Sequence, residues 1–156
     1  MQLNHSEDYY IRALLNKVKL KEIMSSPSIS VSVHAPFREV ARLLQQHRIR
    51  HLPIVNSANE VAGLMTERDL YKIQPPHKLE DGTWTYDWET LDGVILQNVM
   101  TPYPFTLSTE DTVAVAVTEM VRKKYGCVPV VDAGKKLCGI VTQYDILKIA
   151  VAILQE

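Results

Sequence analysis

Cysteine is scarce in this chain of 156 residues: there are two, Cys127 and Cys138, eleven positions apart and in no C-x-x-C arrangement. A disulfide framework is thereby excluded, and since each lies in an apolar run, both are read as buried, reduced thiols. The five histidines have no cysteine ligand near them, and neither a structural nor a catalytic zinc site is expected. A charge excess of one sign is also lacking. Seventeen basic residues against eighteen acidic ones leave a net charge of -1, and basic runs stop at pairs such as Lys123-Lys124 and Lys135-Lys136. Nucleic acid is therefore not expected as the primary partner. Long apolar runs are missing too: residues 149–154 fall far short of the roughly 20 needed to cross a bilayer, so no membrane span is expected. Residues 1–8 lack the basic start and apolar core of a secretory signal, which leaves the cytoplasm as the expected location. The chain holds no G-x-G-x-x-G, no G-x-x-x-x-G-K-[ST] and no G-x-S-x-G. No catalytic residue, metal or required cofactor is assigned, and the chain is not read as an enzyme.

What the chain does hold is an internal repeat. Subtracting 76 maps Met100 on Met24, Pro129 on Pro53, Gly139 on Gly63, Thr142 on Thr66 and Asp145 on Asp69, with no gap. Seven identities occur over residues 24–70, and five of them fall between 53 and 69, where backbone geometry is most demanding. Apolar class is kept at Val31/Leu107, Leu52/Val128, Ile54/Val130 and Leu64/Ile140, as expected when two halves bury the same faces.

Each half reads as β-α-β-β-α. Residues 29–33 and 105–109 alternate apolar with Ser or Thr, the period-two pattern of a half-buried strand. Phe37, Val40, Ala41 and Leu44, and then Val113, Ala116, Val117 and Met120, recur at helical spacing. The second of these helices is expected to end at Lys123-Lys124 and Gly126. Residues 51–55 and 61–65 are hairpin strands, and Pro53, which has no N–H, places its strand at an edge or ends pairing there. Residues 67–73 and 143–154 close each half with a helix. Outside the repeat, residues 6–18 predict a capped leading helix with Tyr10, Ile11, Leu14, Leu15 and Val18 as its apolar stripe. Residues 74–95, with Pro75-Pro76, Trp84 and Trp88, are the least legible stretch; a connection of that length usually has structure or a task of its own. Its tryptophans suit either docking a partner or folding back on their own domain. The expected division is 1–17 leading helix, 18–73 first domain, 74–95 insertion and 96–156 second domain, an α+β architecture.

The sharpest shared element is Gly63-Leu64-Met65-Thr66-Glu67-Arg68-Asp69, repeated as Gly139-Ile140-Val141-Thr142-Gln143-Tyr144-Asp145. Thr followed three residues later by Asp can be a capping box and nothing more. Found twice behind a strand-final glycine, it also suits a ligand: a helix start offers N–H groups to phosphate, a carboxylate accepts both hydrogens of a ribose diol, and glycine permits close approach.

Two β-α-β-β-α units, each with Met-Ser/Thr near its start, an h-P-h-h strand and G-h-h-T-x-x-D, resemble the CBS domain family, in the form of a stand-alone tandem pair or Bateman module. The resemblance implies two units packed through their sheets about a pseudo-twofold axis, with two clefts for AMP, ADP, ATP or S-adenosylmethionine. It also implies a homodimer and a regulated protein that the chain does not name. Carried over residue by residue, it makes Asp69 and Asp145 the ribose acceptors, with Thr66 and Thr142 beside phosphate or ribose. Leu64 and Ile140 flank adenine, and Ile29 and Phe105 line the adenine side. Arg50 and His51, just before Pro53, face phosphate; their counterparts Gly126 and Cys127 carry no charge, so unequal clefts are implied. The family pattern puts Phe105, Tyr125 and Gly126 around Thr66 and Asp69, and Ile29, Ile49 and His51 around Thr142 and Asp145, with Arg50 able to serve either. The competing expectation is a structural dimerisation module whose T-x-x-D motifs are helix caps alone.

Overall fold

The computed structural model describes residues 5–26 and 28–155. In chain order, α1 (His5–Lys17), the short turn α2 (Leu20–Ile23), β1 (Val31–Ser32), α3 (Phe37–His47), β2 (His51–Val55), β3 (Val61–Thr66) and α4 (Glu67–Ile73) complete the first repeat. The insertion carries β4 (His77–Lys78), β5 (Trp84–Thr85) and α5 (Trp88–Asp92). The second repeat follows as α6 (Leu96–Val99), β6 (Thr101–Pro102), β7 (Leu107–Ser108), α7 (Val113–Lys123), β8 (Cys127–Val131), β9 (Leu137–Thr142) and α8 (Gln143–Leu154). The expected β-α-β-β-α order stands in both halves, although the first strand of each is two residues long.

The compact units do not follow the order of the sequence. One comprises residues 29–104, the other residues 1–28 together with 105–156. The segment leading into each repeat therefore packs in the unit of the other. In the 29–104 unit the sheet order is β1-β2-β3-β6, with β6 antiparallel to β3 through Gly63↔Pro102 and Leu64↔Thr101. In the other unit β7-β8-β9 forms the sheet, and Ser25 bridges Ile140, the register equivalent of Thr101 on Leu64. Glycine is needed where these segments cross: a Cβ on Gly139 would stand 2.6 Å from Met24 Sδ and 2.8 Å from the Ser25 carbonyl oxygen, and one on Gly63 would collide with Met100 Sδ. The close approach expected of these glycines is thus made by a methionine of this chain.

The proline strands do not lie at an edge: β2 and β8 are interior to their sheets and pair through the proline on the hairpin side, and pairing stops at the proline only on the other side. β1 pairs with β2 only at Ile54 and Val55, and β7 with β8 only at Val130 and Val131, each just beyond the proline. α7 ends at Lys123-Lys124 as expected, but its cap is Lys124 itself, left-handed at φ 57°, and the glycine at 126 plays no part in it; α3 stops in the same way at Arg48 (φ 52°). Lys124 N–H reaches back to the Met120 and Val121 carbonyls, which ends the helix without glycine.

The core of the 29–104 unit gathers Phe37, Val40, Ala41 and Leu44 of α3 on Leu52, Ile54, Met65 and Leu70, with Tyr86, Leu91 and Leu96 closing it from the insertion and beyond. The other core sets Val113, Ala116 and Met120 on Val128, Val130 and Val141, with Leu20 at its centre. Of the α1 stripe, Leu15 and Val18 join this core, whereas Tyr10 and Leu14 are exposed, so the stripe is narrower than its spacing suggests. The Ser6 cap lies outside the residues whose side chains are described.

Candidate functional site

Both T-x-x-D corners form at the junction of a hairpin strand and its closing helix. At the first, the Thr66 N–H and hydroxyl donate to Asp69 Oδ2 at 3.1 and 2.6 Å, and the Asp69 N–H returns a bond to Thr66 Oγ1 at 3.1 Å. At the second, the Thr142 N–H and hydroxyl both lie 2.8 Å from Asp145 Oδ2. The first is a capping box in full and the second has the same layout, with the Thr142-to-Asp145 bonds carrying it, so the capping expectation holds at both positions. The adjoining backbone is also spent: Glu67 N–H donates to the Arg50 carbonyl at 3.0 Å and Gln143 N–H to the Gly126 carbonyl at 3.1 Å. The N–H groups that were to greet a phosphate are, at these positions, already bonded to protein.

The two carboxylates differ in their second oxygen. Asp69 Oδ1 sits 3.9 Å from Lys72 Nζ, and its side chain keeps 27% of its accessible surface. Asp145 Oδ1 is held at 2.8 Å by Lys148 Nζ, and only 4% of its side chain is reachable. Burial pushes the Asp145 carboxyl up, but the bonds from Lys148 and from the Thr142 backbone and hydroxyl together outweigh it and hold the group below the usual carboxylate range. Asp69 therefore presents an open acceptor. Asp145 offers one only when the exposed end of Lys148 swings away.

Antiparallel pairing places His51 opposite Thr66 and Cys127 opposite Thr142, so the residues before each proline stand beside the threonine of their own half. Burial, reinforced by the charge of Arg50, keeps the half-buried His51 imidazole below its ordinary 6.5. Arg50 itself is exposed. Phe105 and Tyr125, expected on one wall, do meet: their rings stack at 5.9 Å and 29°. One face of Phe105 is thus already engaged. Ile29 and Ile49, the equivalents by repeat, pack together against the 29–104 core. Leu64 is half-buried and Ile140 buried beside Gly63 and Gly139, which lie within β3 and β9 and not, as expected, at the strand ends.

His47 and His51 stand four apart, a spacing that suits metal on a helix. Here α3 ends at His47, the left-handed Arg48 follows, and His51 opens β2, so the two share no helical face. Among the described residues no cluster of His, Cys, Asp or Glu could hold a metal ion, and no helix is long and apolar enough to cross a membrane.

Sequence reading missed the order within the insertion. Tyr86 and Leu91 are buried; Trp88 packs on the core under Arg38, whose guanidinium lies 5.8 Å from the ring and forks onto Asp92 at 2.8 and 2.5 Å. Trp88 folds back, whereas Trp84 remains 58% exposed. The hydrophobic pair Tyr86 and Leu91 was the available signal, obscured by the turn formers on either side.

Comparisons with known proteins agree with the geometry. The CBS domain model matches residues 20–75 and 96–152. The L-aspartate semialdehyde sulfurtransferase of Methanocaldococcus jannaschii is 28% identical over 130 residues, 83% of this chain but 23% of that protein. A CBS domain-containing protein of Dictyostelium discoideum is 25% identical over 143 residues, 89% of this chain and 95% of its own length. The chain thus spans about a quarter of the length of relatives that carry enzyme names. Among solved structures, the CBS domain pair of protein MJ0100 in complex with 5′-methylthioadenosine and S-adenosyl-L-methionine is 27% identical, with a TM-score of 0.70 over 86% of this chain and 97% of that one. CBSX2 in complex with AMP, 20% identical, shares the fold with a TM-score of 0.72 over 87% and 98%. With two matched repeats, two β-α-β-β-α halves and paired T-x-x-D corners, the chain belongs to the CBS domain family as a tandem pair.

Proposed function

We propose that this CBS pair is a regulatory module that binds an adenosine-containing ligand, AMP, ADP, ATP or S-adenosylmethionine, and controls a partner protein through the conformation the ligand selects. The observation that carries the reading is the open Asp69 acceptor within a duplicated T-x-x-D corner. A carboxylate with one oxygen fixed by Thr66 and the other only loosely paired with Lys72, at 3.9 Å, is oriented before a ribose diol arrives, which limits the ordering cost of binding. The MJ0100 pair, described with two adenosine-containing ligands, supports the same class here. Thr66 and Thr142, Leu64 and Ile140, Ile29 and Phe105 complete the proposed contacts, and Arg50 and His51 supply the phosphate side. The module acts in the cytoplasm, as a homodimer, without catalysis of its own; a ligand shifts such a system only through unequal affinity for its two arrangements.

Thermal-shift titration with AMP, ADP, ATP and S-adenosylmethionine tests this. Ligand at 100 times Kd adds about 2.7 kcal/mol of stability, and Asp69→Ala removes the shift. The second reading, a dimerisation module without ligand, is favoured by the capping at both corners; it predicts no shift with any of the four at millimolar concentration.

A further inference from the structure

The 29–104 unit carries a groove of about 750 Å³, walled on one side by Pro76, Trp84 and Tyr86 of the insertion, that neither Thr66 nor Asp69 lines. Its floor is apolar: Leu44, Leu70 and Tyr86 are all but fully buried there. Trp84 and Tyr71 stand on its walls with 58% and 44% of their surface uncovered, a large aromatic exposure for one depression. Arg48 and Arg50 line it as well, and among the described residues neither is paired with a carboxylate. Glu67, also on the wall, accepts the Tyr71 hydroxyl at 3.4 Å. Two guanidinium groups against one carboxylate leave the groove with a surplus positive charge. Its volume falls within the range of small-molecule sites, ~300–1,000 Å³, and it couples apolar walls to a few polar groups as such sites do.

We propose that this groove binds a small molecule combining a planar aromatic ring with an anionic group. The ring lies against Trp84, and the phosphate or carboxylate is held by Arg48 and Arg50, whose flat forks match two oxygens at once. The left-handed cap at Arg48 gives this its local basis: the conformation that ends α3 lies at the groove, where a β-hairpin returns to cover it, and the Gln45 side chain bonds the Trp84 carbonyl at 3.4 Å. The insertion's task is then a ligand site of its own, which shares Arg50 with the adenosine reading above and differs from it in Trp84 and Arg48.

Trp88→Phe leaves Trp84 as the only tryptophan, so its fluorescence reports the site directly. Titration with 1-naphthyl phosphate and 1-naphthoate is expected to quench it with saturation, and the relative strength of the two separates phosphate from carboxylate preference. Inorganic phosphate and neutral 1-naphthalenemethanol bind at least tenfold more weakly. By calorimetry on the otherwise unaltered protein, Trp84→Ala and Arg48→Asn each weaken 1-naphthyl phosphate about tenfold, the scale of one charge-assisted bond or stacking contact, while Lys136→Ala changes nothing. Asn tolerates the left-handed conformation, so Arg48→Asn keeps the test valid if Trp84→Ala fails to fold. The proposal is overturned by absence of saturable quenching at millimolar probe, by equal binding of the neutral alcohol, or by unchanged affinity in a folded Arg48→Asn variant. Arg50 is common to this groove and to the adenosine contacts above, whereas Trp84 and Arg48 belong to the groove alone, so 1-naphthyl phosphate binding that survives Asp69→Ala and weakens in Arg48→Asn separates the two readings.

Discussion

Lys148 Nζ lies 2.8 Å from Asp145 Oδ1, one helical turn away on the same helix, and closes a carboxylate that its repeat partner Asp69 leaves open. Duplicated corners of one chain have thereby become chemically unequal. The asymmetry implied by Arg50-His51 against Gly126-Cys127 is joined by a second at the carboxylates themselves.

The first prediction follows from that closure. Asp145→Ala strands the Thr142 N–H and hydroxyl in a buried corner and costs about 1–3 kcal/mol, whereas Asp69→Ala, at a corner open to water, costs about 1 kcal/mol. Urea denaturation of both variants checks the order.

The depressed Asp145 carboxyl has a pH consequence. Its folded value lies below its unfolded one, so its stabilisation is fully present above the unfolded value, about 3.9, and fades as pH falls through the folded value. Unfolding followed between neutral pH and pH ~2.5 should lose less stability in Asp145→Asn than in the parent chain.

The glycines under the crossing methionines are not equivalent either. At Gly139 an added methyl meets the Ser25 carbonyl as well as Met24, at Gly63 only the Met100 side chain, which can move. Gly139→Ala is expected to destabilise by about 1–3 kcal/mol and Gly63→Ala by less. Thermal melts of the two variants decide.

Burial pushes the Cys127 thiol up to about 12, while Cys138 is half-buried. A thiol-reactive chromophore at pH 8 should therefore label Cys138 alone in the folded protein and both cysteines in denaturant. Labelling of Cys127 in the native state would contradict the packing of β8.

Much of this was legible in the sequence, and the reasons are local. Pro53 and Pro129 announced where pairing with β1 and β7 stops, because a proline has no N–H to give, but not that their strands are interior to the sheets. Thr66-x-x-Asp69 announced a strand-to-helix corner, because capping depends on four consecutive residues. Its availability to a ligand was not legible: only packing shows that Lys148 covers Asp145 while Lys72 stands off Asp69. The exchange of residues 18–28 and 96–104 between units was equally hidden, since a regular offset fixes the order of elements and not which sheet a leading segment joins. The end of α7 at Lys123-Lys124 was legible in its basic residues, whereas a role for Gly126 was not borne out, because backbone bonds to the last carbonyls compensate a left-handed Lys124. The insertion stayed unread because its buried Tyr86 and Leu91 are too few to set a period.

Binding at the corner of Thr66 and Asp69 remains the claim on which the functional account rests. Isothermal titration of S-adenosylmethionine and AMP into the wild-type chain and into Asp69→Ala tests it most directly. The account predicts saturable binding of at least one of them to the wild type and an affinity lower by at least about tenfold in the folded variant, the scale of a charge-assisted bond. Equal affinity in both, or heat from neither at millimolar concentration, would contradict it.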